Sequence, residues 1–312
     1  MLPESADVFG DQVAGYRSEL FAHCYRMLGT VDEAEDALQE ALMRAWQGRH
    51  TYREHISFRA WLYRIATNTC LNAIEARKRD RVEPGPCPDD LLTGIASADS
   101  GPEARYDSHE SVSLAFLTML QVLPPRQRAV LLLRDVLAFR GAEVAHLLET
   151  SVQAVNSTLQ RARSTLRGTY VRPRLVSPPN LLERYVRAWE AADVVSLVAL
   201  LREDAVLIMP PKPAVVGAQA IGRFLADSIF PIARMRLVGA RANQSPAFVA
   251  YVQARRFALL VIDGDRERIT RIHAFTDPQV LARFEPGGQA ADGLGRRRWM
   301  KIRTVLTRSA GT

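Results

Sequence analysis

Residues 147–163 constrain the fold of this chain most strongly, because they have the pattern of two helices joined by a tight turn. Thr150, followed three residues later by Gln153, has the form of a capping box, a local signal for the start of a helix. Beyond it, apolar side chains recur at helical spacing and form a narrow seam. The seam consists of Val152, Val155, Leu159, Ala162 and Leu166. The segment therefore predicts a helix-turn-helix.

The second helix of this motif carries a polar face beside the seam. Glutamine, asparagine and serine side chains hydrogen-bond to base edges in a major groove. The arginine run from Arg161 to Arg174 contains no acidic residue, which suits a phosphate backbone. A solvated helix that closes a helical bundle is the alternative, but the acid-free arginines favour DNA binding. The predicted DNA contacts are Gln153, Asn156, Ser157, Gln160, Arg161 and Arg163.

The neighbouring sequence completes a three-helix unit. Pro124-Pro125 starts one helix, and Phe139 to Leu148 supplies the first helix of the motif. A unit of this length is ordinary for a DNA-binding domain, and we assign this helix-turn-helix domain to residues 111–172. Glu149 stands in the turn where glycine is common, so the turn is predicted to form without a left-handed residue.

Residues 8–81 have helical patterning throughout and form a separate helical domain. One of its helices, preceded by a capping-box pattern at Thr30 and Glu33, has a complete apolar stripe and a second ordered stripe beside it. The second stripe consists of Asp36, Gln39, Glu40 and Met43. A solvated surface is the usual alternative for such residues. A second stripe on a helix whose core stripe is already complete favours docking on a basic partner surface.

Three further segments are marked by changes in composition. Residues 82–110 are rich in proline, glycine and acidic residues, which predicts a flexible linker. Residues 181–285 change to a mixed helix and strand pattern, with Asp263-Gly264 as a hairpin signal. Residues 286–312 form a glycine-rich and then basic tail that is predicted to be disordered. The predicted fold class is multidomain: two all-α domains followed by an α+β domain with helices on a curved antiparallel sheet.

Charge and cysteine content limit the function classes without selecting one. The net charge of +7 fits a polyanionic partner, but lysine occurs at only three positions, so the arginine bias alone is weak evidence. Cys24, Cys70 and Cys87 lie far apart with no metal-ligand spacing, which predicts free thiols rather than a disulfide framework or a zinc site. The start lacks a basic leader and no apolar run reaches membrane-spanning length. A soluble cytoplasmic protein with no membrane partner is therefore expected.

The order of these motifs resembles the bacterial extracytoplasmic-function sigma factors of the sigma-70 family, over residues 10–172. Asp36 to Glu40, with the sequence Asp-Ala-Leu-Gln-Glu, is similar to the family's polymerase-contacting helix, which docks on the clamp of the β′ subunit. Phe58 to Asn68 is similar to its −10 promoter region, and Leu123 to Leu166 is similar to the domain that reads the −35 element. The resemblance implies two partners: core RNA polymerase, through its β′ and β subunits, and promoter DNA.

Residues 181–285 resemble a SnoaL-like domain, a cone-shaped NTF2-like fold with a pocket. The likeness is carried by Arg184 to Glu190, Asp204 to Pro211 and Ile272 to Pro278. Together with the preceding segments, it resembles the sigma-G-like subgroup, whose members have this extra domain instead of a separate membrane anti-sigma. The C-terminal domain has little catalytic equipment and follows the DNA-reading domain after a short proline-rich linker. We therefore expect it to regulate the rest of the chain, with a small molecule as a candidate ligand.

The likeness to the −10 region gives roles to residues around the third helix. Trp46, Phe58 and Trp61 are predicted to pack in the core rather than to stack on bases. Opened strands are read by stacking and by edge hydrogen bonds, so residues in the loop and helix start can capture an unstacked base. The −10 candidates are Tyr52, Arg53, Ser57, Arg59, Trp61 and Asn68.

Catalytic equipment is sparse in this sequence. His273 with Asp204 or Asp277 is the candidate set for a pocket in the C-terminal domain, and a structural histidine is the alternative. No triad, phosphate loop or metal motif is present, so no catalytic residue, metal or cofactor is predicted. The sequence favours a sigma factor that directs promoter-specific initiation and is not an enzyme. Two alternatives stay open: a bifunctional protein whose C-terminal domain is an isomerase or hydrolase, and a stand-alone helix-turn-helix repressor.

Overall fold

The N-terminal part of the chain is helical, and the C-terminal part combines helices with a sheet. The computed structural model describes residues 6–52, 57–77, 82–92, 106, 110–167, 179–232, 234–265 and 267–284. The chain divides into two units, residues 1–172 and residues 173–312. The helices of the first unit are α1 (Ala6–Ala14), α2 (Arg17–Leu28), α3 (Val31–Gln47), α4 (Phe58–Ala76), α5 (Leu114–Leu120), α6 (Pro125–Leu131), α7 (Gly141–Leu147) and α8 (Val152–Leu166).

Helices α2, α3 and α4 pack against one another and form the core of the helical domain. The predicted apolar stripe of α3 consists of Ala34, Ala37, Leu38, Ala41, Leu42 and Ala45. All of these are buried except Leu42, which is half-buried, so the position of the stripe is confirmed. Helix α3 begins directly after its predicted N-cap, at Val31. The hydroxyl of the N-cap threonine donates to the glutamate of the predicted capping box at 2.7 Å, and neither side chain caps the backbone.

A buried histidine joins two helices of this core. Nε2 of His23 on α2 lies 2.9 Å from the hydroxyl oxygen of Thr67 on α4. Burial, together with the positive charges of Arg26 and Arg59, lowers the pKa of His23 to about 3. His23 is therefore a neutral packing group at physiological pH, and its ring stacks edge-on against Tyr63 at 5.1 Å.

The helix-turn-helix domain is built from α5 to α8. Pro125 occupies the first turn of α6, as predicted, and α6 continues into a π-helical turn at Leu132–Val136. Helix α8 starts one residue later than predicted, because Ser151 rather than Thr150 is its N-cap and accepts a hydrogen bond from the Ala154 amide at 3.1 Å. The seam of α8 is buried from its second turn onward, at Val155, Leu159, Ala162 and Leu166.

The turn between α7 and α8 corrects the sequence prediction. Glu149 has a φ of 50° and therefore does supply a left-handed residue, although it is not glycine. It closes α7 in a Schellman arrangement, in which the Thr150 amide donates to the Ala145 carbonyl at 2.8 Å and the Glu149 amide donates to the His146 carbonyl at 3.3 Å. Two backbone hydrogen bonds thus hold a glutamate in a conformation that favours glycine.

The first part of the predicted flexible linker is packed against α2. The hydroxyl of Tyr25 donates to the Gly85 carbonyl at 2.6 Å, and the Gly85 amide donates to the Gly29 carbonyl at 2.9 Å. Cys87 and Leu92 are buried. The composition of residues 82–92 therefore predicted mobility where hydrogen bonds to α2 impose order. Most of the remaining linker lies outside the described residues.

The second unit holds a mixed sheet covered by helices on one face. Its helices are α9 (Pro179–Ala191), α10 (Val194–Leu200), α11 (Ala218–Phe224) and α12 (Pro278–Ala282), and its strands are β1 (Leu201–Ile208), β2 (Val215–Val216), β3 (Arg236–Ala242), β4 (Ser245–Val252), β5 (Arg255–Gly264) and β6 (Ile269–Phe275). The strand order is β2-β1-β6-β5-β4-β3. Strands β1 and β6 pair in parallel, so the sheet is mixed rather than purely antiparallel as predicted.

Two tight hairpins of this sheet carry no glycine. Asn243-Gln244 joins β3 to β4, and Gln253-Ala254 joins β4 to β5; all four residues have positive φ. Asp263-Gly264, the predicted turn, instead lies at the end of β5. The side chain of Asp265 then accepts hydrogen bonds from the Glu267 and Arg268 amides, at 2.9 and 2.8 Å, and organises the actual turn.

Two of the remaining sequence expectations concern thiols and membranes. Cys24, Cys70 and Cys87 are buried free thiols. Within the described ranges, no helix is both long enough and apolar enough to cross a bilayer. The basic tail at 286–312 and the loop residue Arg53 lie outside the described residues.

Candidate nucleic-acid and polymerase interfaces

Helix α3 presents the four residues that the sequence placed on its second stripe. Asp36, Gln39 and Met43 are exposed, and Glu40 is half-buried. Half of the Met43 surface contacts solvent, which is unusual for a large apolar side chain. Glu40 accepts a hydrogen bond from Arg44 on the next turn at 2.6 Å, so its carboxylate is already partly neutralised.

A groove of about 1010 Å³ runs along this face of α3. Asp36, Gln39 and Met43 line one wall, and apolar residues of α1, among them Phe9 and Val13, line the other. Arg17 and Ser18 also line it, so the groove combines an acidic edge with a mainly apolar opposite wall. This chemistry suits a helical partner that carries both apolar and basic side chains.

Aromatic side chains gather at the start of α4, where the −10 candidates lie. The ring of Tyr52 is 5.7 Å from Phe58 and 5.6 Å from Trp61, and Phe58 and Trp61 stack at 5.7 Å. Trp61 is only 6% exposed, whereas Tyr52 is half-buried and can be reached from solvent. Trp61 thus supports the cluster from inside, and Tyr52 forms its accessible edge.

Two further −10 candidates lie on α4 itself. Ser57 is the N-cap of α4, and its hydroxyl accepts a hydrogen bond from the Ala60 amide at 3.1 Å. Asn68 is exposed three turns further along the helix. Ser57 therefore orders the helix start, and Asn68 is available to a partner.

Arg59 lies between the two domains of the first unit. Its Nε donates to the Glu19 carboxylate at 3.0 Å, and its guanidinium lies 4.9 Å from the ring centres of both Tyr63 and Phe139. Burial lowers the pKa of Arg59, but Tyr63 and Glu19 outweigh that effect and raise it above the ordinary value. Phe139 belongs to the helix-turn-helix domain, so that domain covers a residue predicted to read the −10 element.

A second contact joins the same domain to α4. Arg64, one turn beyond the aromatic cluster, forms an ion pair with Glu149, the left-handed residue of the helix-turn-helix turn. The Phe139 ring also lies 5.3 Å from the ring of Tyr63 on α4. We call this packing of the helix-turn-helix domain on α4 the closed arrangement.

Two buried arginines connect the two domains in the closed arrangement. Arg128 on α6 donates to the carbonyl of Met27, at the C-terminal end of α2, and is 1% exposed. Arg26 on α2 donates to the carbonyl of Ser111 at 3.1 Å and to its hydroxyl at 2.6 Å. Burial lowers the pKa of each arginine to about 10. The junction therefore contains two buried cations whose hydrogen-bond partners are neutral oxygen atoms.

The outer face of α8 carries most of the predicted −35 contacts. Gln153, Asn156, Ser157, Gln160 and Arg161 are all exposed. Ser157 donates to the Ala154 carbonyl at 3.1 Å, and Arg161 donates to the hydroxyl of Thr158 at 3.2 Å. The structure thus brings these five residues together on one accessible helix face.

Arg163 differs from the other residues of this set. Its Nε donates to the Asp135 carboxylate at 2.9 Å, and its second nitrogen reaches the other carboxylate oxygen, which makes a bidentate pair. Asp135 is 1% exposed. This hydrogen bond raises the pKa of Arg163. Arg163 therefore stabilises the helix-turn-helix domain, whereas the sequence had suggested a phosphate contact.

The candidate pocket residues of the C-terminal unit lie in three different settings. Asp204 is exposed and pairs with Arg202. Asp277 caps α12 and accepts from the Gln279 amide at 2.8 Å. His273 is buried beside Asp263, with 3.7 Å between Nε2 and the carboxylate.

His273 also lies on the opposite face of the sheet from the core built by α9 to α11. The neighbouring β6 residues Ile272 and Ala274 belong to that core, and side chains alternate along a strand. The core itself is filled by Tyr185 and Trp189 of α9, whose rings are 6.1 Å apart. The three candidates are therefore not assembled into one pocket.

An open groove of about 890 Å³ does lie on this unit, between α9 and strands β3 and β4. It is lined mainly by apolar side chains such as Leu182, Val186 and Phe248. None of the three candidate pocket residues lines it. In the parts of the chain that the structure describes, no group of three acidic, histidine or cysteine residues is placed to hold a metal ion.

Sequence reasoning missed Arg64, Phe139 and Arg128 as contacts between the domains. Each of these residues meets its partner across a long stretch of chain, and no local periodicity marks such a contact. Arg128 was the one available signal. A charged residue in an apolar stretch of helix requires a polar partner when the stretch is buried, so its position pointed to a contact elsewhere in the chain.

The fold and these faces define a sigma-70-type protein with an added C-terminal domain. Residues 13–80 match the family model for sigma-70 region 2, and residues 113–166 match that for sigma-70 region 4. Residues 182–293 match a SnoaL-like domain. The closed arrangement therefore joins region 2 to region 4.

Similarity to individual sigma factors shows which group of sigma-70-type proteins the chain belongs to. The chain is 40% identical over 309 residues to the extracytoplasmic-function RNA polymerase sigma factor SigG of Mycobacterium tuberculosis, covering 88% of this chain and 83% of that protein. It is 31% identical over 164 residues to SigW of Bacillus subtilis, covering 52% of this chain and 88% of the relative. The crystal structure of SigJ from Mycobacterium tuberculosis has the same fold, with a TM-score of 0.62 at 23% identity over 88% of this chain and 98% of that one.

The chain belongs to the extracytoplasmic-function sigma factors, with sigma-70 regions 2 and 4 followed by a SnoaL-like domain. It is a transcription initiation factor that acts with RNA polymerase at promoters, and it is not an enzyme. The predicted family and fold class are confirmed, except that the C-terminal sheet is mixed.

The pairing of Arg163 gives a prediction about stability. Arg163→Ala leaves the buried Asp135 carboxylate without its partner, so the helix-turn-helix domain should lose roughly 1–3 kcal/mol of unfolding free energy. Arg161→Ala, on the exposed face, should change it by less than about 0.5 kcal/mol. Urea unfolding of the two variants and the parent measures the difference. Equal stabilities for Arg163→Ala and Arg161→Ala would contradict the structural role.

Proposed function

We propose that α3 is the docking helix for the β′ clamp of core RNA polymerase. The observation that supports this is the exposed set of Asp36, Gln39 and Met43 along one wall of a groove whose other wall is mainly apolar. Acidic residues at the edge of an apolar groove steer and orient a basic helical partner. The exposed Met43 adds a flexible apolar contact at the C-terminal end of this stripe.

We assign reading of the −10 element to the accessible edge of the aromatic cluster on α4. Tyr52 offers an aromatic face to an unstacked base, with Phe58 and Trp61 holding it from behind. Arg59 and Asn68 supply charge and an amide on the same helix. Arg53, which lies outside the described residues, belongs to the same proposal.

Helix α8 is proposed to read the −35 element from the major groove. A recognition helix contacts base edges with residues near its N-terminus. Gln153, Asn156, Ser157 and Gln160 are exposed there and carry amides and a hydroxyl, which can pair with base edges. Arg161 is exposed further along and is the proposed phosphate contact in place of Arg163.

The closed arrangement must open for both elements to be read together. The −10 and −35 elements are about 25 base pairs apart, which is about 85 Å of B-form DNA. In the structure, however, the α7–α8 turn touches α4 through Glu149 and Arg64. One rigid body in which the turn before α8 touches α4 cannot span that distance. The proposed active form therefore has the helix-turn-helix domain released from α4.

The C-terminal unit is proposed to regulate this opening. Its candidate pocket residues are dispersed, and its accessible feature is the apolar groove beside α9. A small-molecule ligand bound there would shift the balance between closed and open forms only through unequal affinities for the two. The proposal as a whole is tested by run-off transcription with purified core polymerase, where the protein should direct initiation from a defined promoter. Failure to direct any initiation would contradict it.

The docking proposal predicts the effect of reversing charge on α3. Asp36→Arg combined with Glu40→Arg should weaken binding to core polymerase by about 100-fold, because like charges then face the clamp. Glu75→Arg changes an exposed acid on α4 and serves as the matched control. Fluorescence titration of labelled protein with core polymerase measures both. If the double variant bound as tightly as the control, the docking surface would lie elsewhere.

The −35 proposal predicts two different kinds of loss. Asn156→Ala and Gln160→Ala should each cost about 1–3 kcal/mol at particular base pairs, because they remove edge hydrogen bonds. Arg161→Ala should weaken all sequences alike and reduce the salt dependence of binding. A scan of single substitutions through the promoter, read by initiation or footprinting, separates the two patterns. The same uniform loss for Asn156→Ala and Arg161→Ala would rule out this division of roles.

The regulatory proposal predicts that the C-terminal unit affects initiation. Deleting residues 181–312 should change transcript yield at limiting core polymerase by at least about twofold, because the closed and open populations shift. His273→Ala should change yield little, since His273 lies away from the groove. Identical initiation by the truncated and full-length proteins at every polymerase and salt concentration would show that the unit is not a regulator.

A further inference from the structure

Val152 occupies an unexpected place in the helix-turn-helix domain. It is the first residue of α8, and the helical spacing of the sequence puts it in the apolar seam. In the structure it is 44% exposed, whereas the other four seam residues are each 6% exposed or less. The seam prediction is therefore wrong at this position, because the first turn of α8 extends past the core of the domain.

The start of α8 does not require a valine at this position. Ser151 already caps the helix through its hydroxyl. A β-branched residue in the first turn adds no capping group and has lower helix propensity than alanine. An exposed valine here is therefore unexplained by helix formation or by core packing.

The side chain nevertheless lies beside the start of α7. A Cβ atom placed on Gly141, the first residue of α7, would lie 3.6 Å from Cγ1 of Val152 and 3.8 Å from Oδ1 of Asn156. Val152 and Asn156 are one helical turn apart, so both side chains lie against the same bare stretch of backbone. The methyl groups of Val152 and the amide of Asn156 thus form one small exposed surface, apolar at one end and polar at the other.

We propose that Val152 is a specificity-determining residue that contacts the C5 methyl group of a thymine in the −35 element. The thymine methyl is the apolar group on the major-groove edge of the bases, and apolar side chains recognise it. Val152 stands at the N-terminal end of α8, where a recognition helix meets base edges. The inference rests on the proposed reading of the −35 element by α8.

The position of Asn156 makes the proposal more specific. Its amide can pair with N6 and N7 of an adenine. Because the valine methyl groups lie one helical turn away on the same surface, the thymine should belong to the base pair read by Asn156 or to one directly beside it. The element should therefore contain an A·T pair at this point.

The test uses the full-length protein with core polymerase. A promoter is first selected by the wild-type holoenzyme from a library with a randomised −35 element. Each thymine of the selected element is then replaced singly by deoxyuridine, which removes only the C5 methyl group. One such replacement should weaken promoter binding by the wild type by about fourfold, the value expected for one buried methyl group.

The matched variant identifies the protein side of the contact. Val152→Ala should weaken binding to the thymine promoter by a similar factor and should be insensitive to that deoxyuridine replacement. Val122→Ala removes another exposed valine of the same domain and should behave as wild type on both DNAs. Circular dichroism of Val152→Ala should match the parent, since the residue is largely exposed.

Three results would overturn the inference. The selected element could lack a thymine both in the base pair affected by Asn156→Ala and in the pairs directly beside it. It could turn out that no single deoxyuridine replacement weakens promoter binding by the wild type. Alternatively, Val152→Ala could keep the full sensitivity to that replacement. If Asn156→Ala still loses discrimination at one base pair, only the role of Val152 fails. If neither variant changes base preference, the reading of the −35 element by α8 fails as well.

Discussion

The guanidinium of Arg128 carries the central contact of the first unit, because it ties region 4 to the end of a helix in region 2. It donates to the Met27 carbonyl at the C-terminus of α2, where the helix dipole favours a positive charge. Arg26 reaches back to Ser111 in the same way. Burying a cation is costly even when hydrogen bonds are made. Separating the domains would rehydrate both guanidinium groups, so this junction is held together by interactions that solvent can replace.

The closed arrangement decides which surfaces of the free protein are accessible. The α3 face with Asp36 and Met43 is open, and so is the outer face of α8. Helix α4 is different, because Phe139 covers Arg59, and Glu149 pairs with Arg64. In the closed arrangement the proposed docking face on α3 is therefore accessible, while region 4 covers part of the proposed −10 surface on α4. Binding of core polymerase and promoter DNA would supply the differential affinity that releases it.

Local patterns predicted the elements of this fold well and their long-range contacts poorly. The stripes of α3 and the helix-turn-helix follow from side-chain spacing, which acts within a few residues. Spacing could not tell that Val152 lies beyond the core or that Arg163 faces Asp135, since both depend on how α8 packs on α6. The predictions of the turns were wrong for a related reason. Glu149 and Ala254 adopt positive φ because flanking hydrogen bonds and strand pairing impose it, although neither residue favours it alone.

The central claim is that region 4 leaves α4 when the protein acts at a promoter. Glu75→Cys on α4 and Ser164→Cys on α8 place fluorescent labels at exposed sites, while the three native thiols are buried. Single-molecule energy transfer between the labels is measured in the free protein and in the complex with core polymerase and promoter DNA. The account predicts high transfer in the free protein and a shift to a separation of the order of 85 Å in the complex. An unchanged, short separation in the transcribing complex would contradict it.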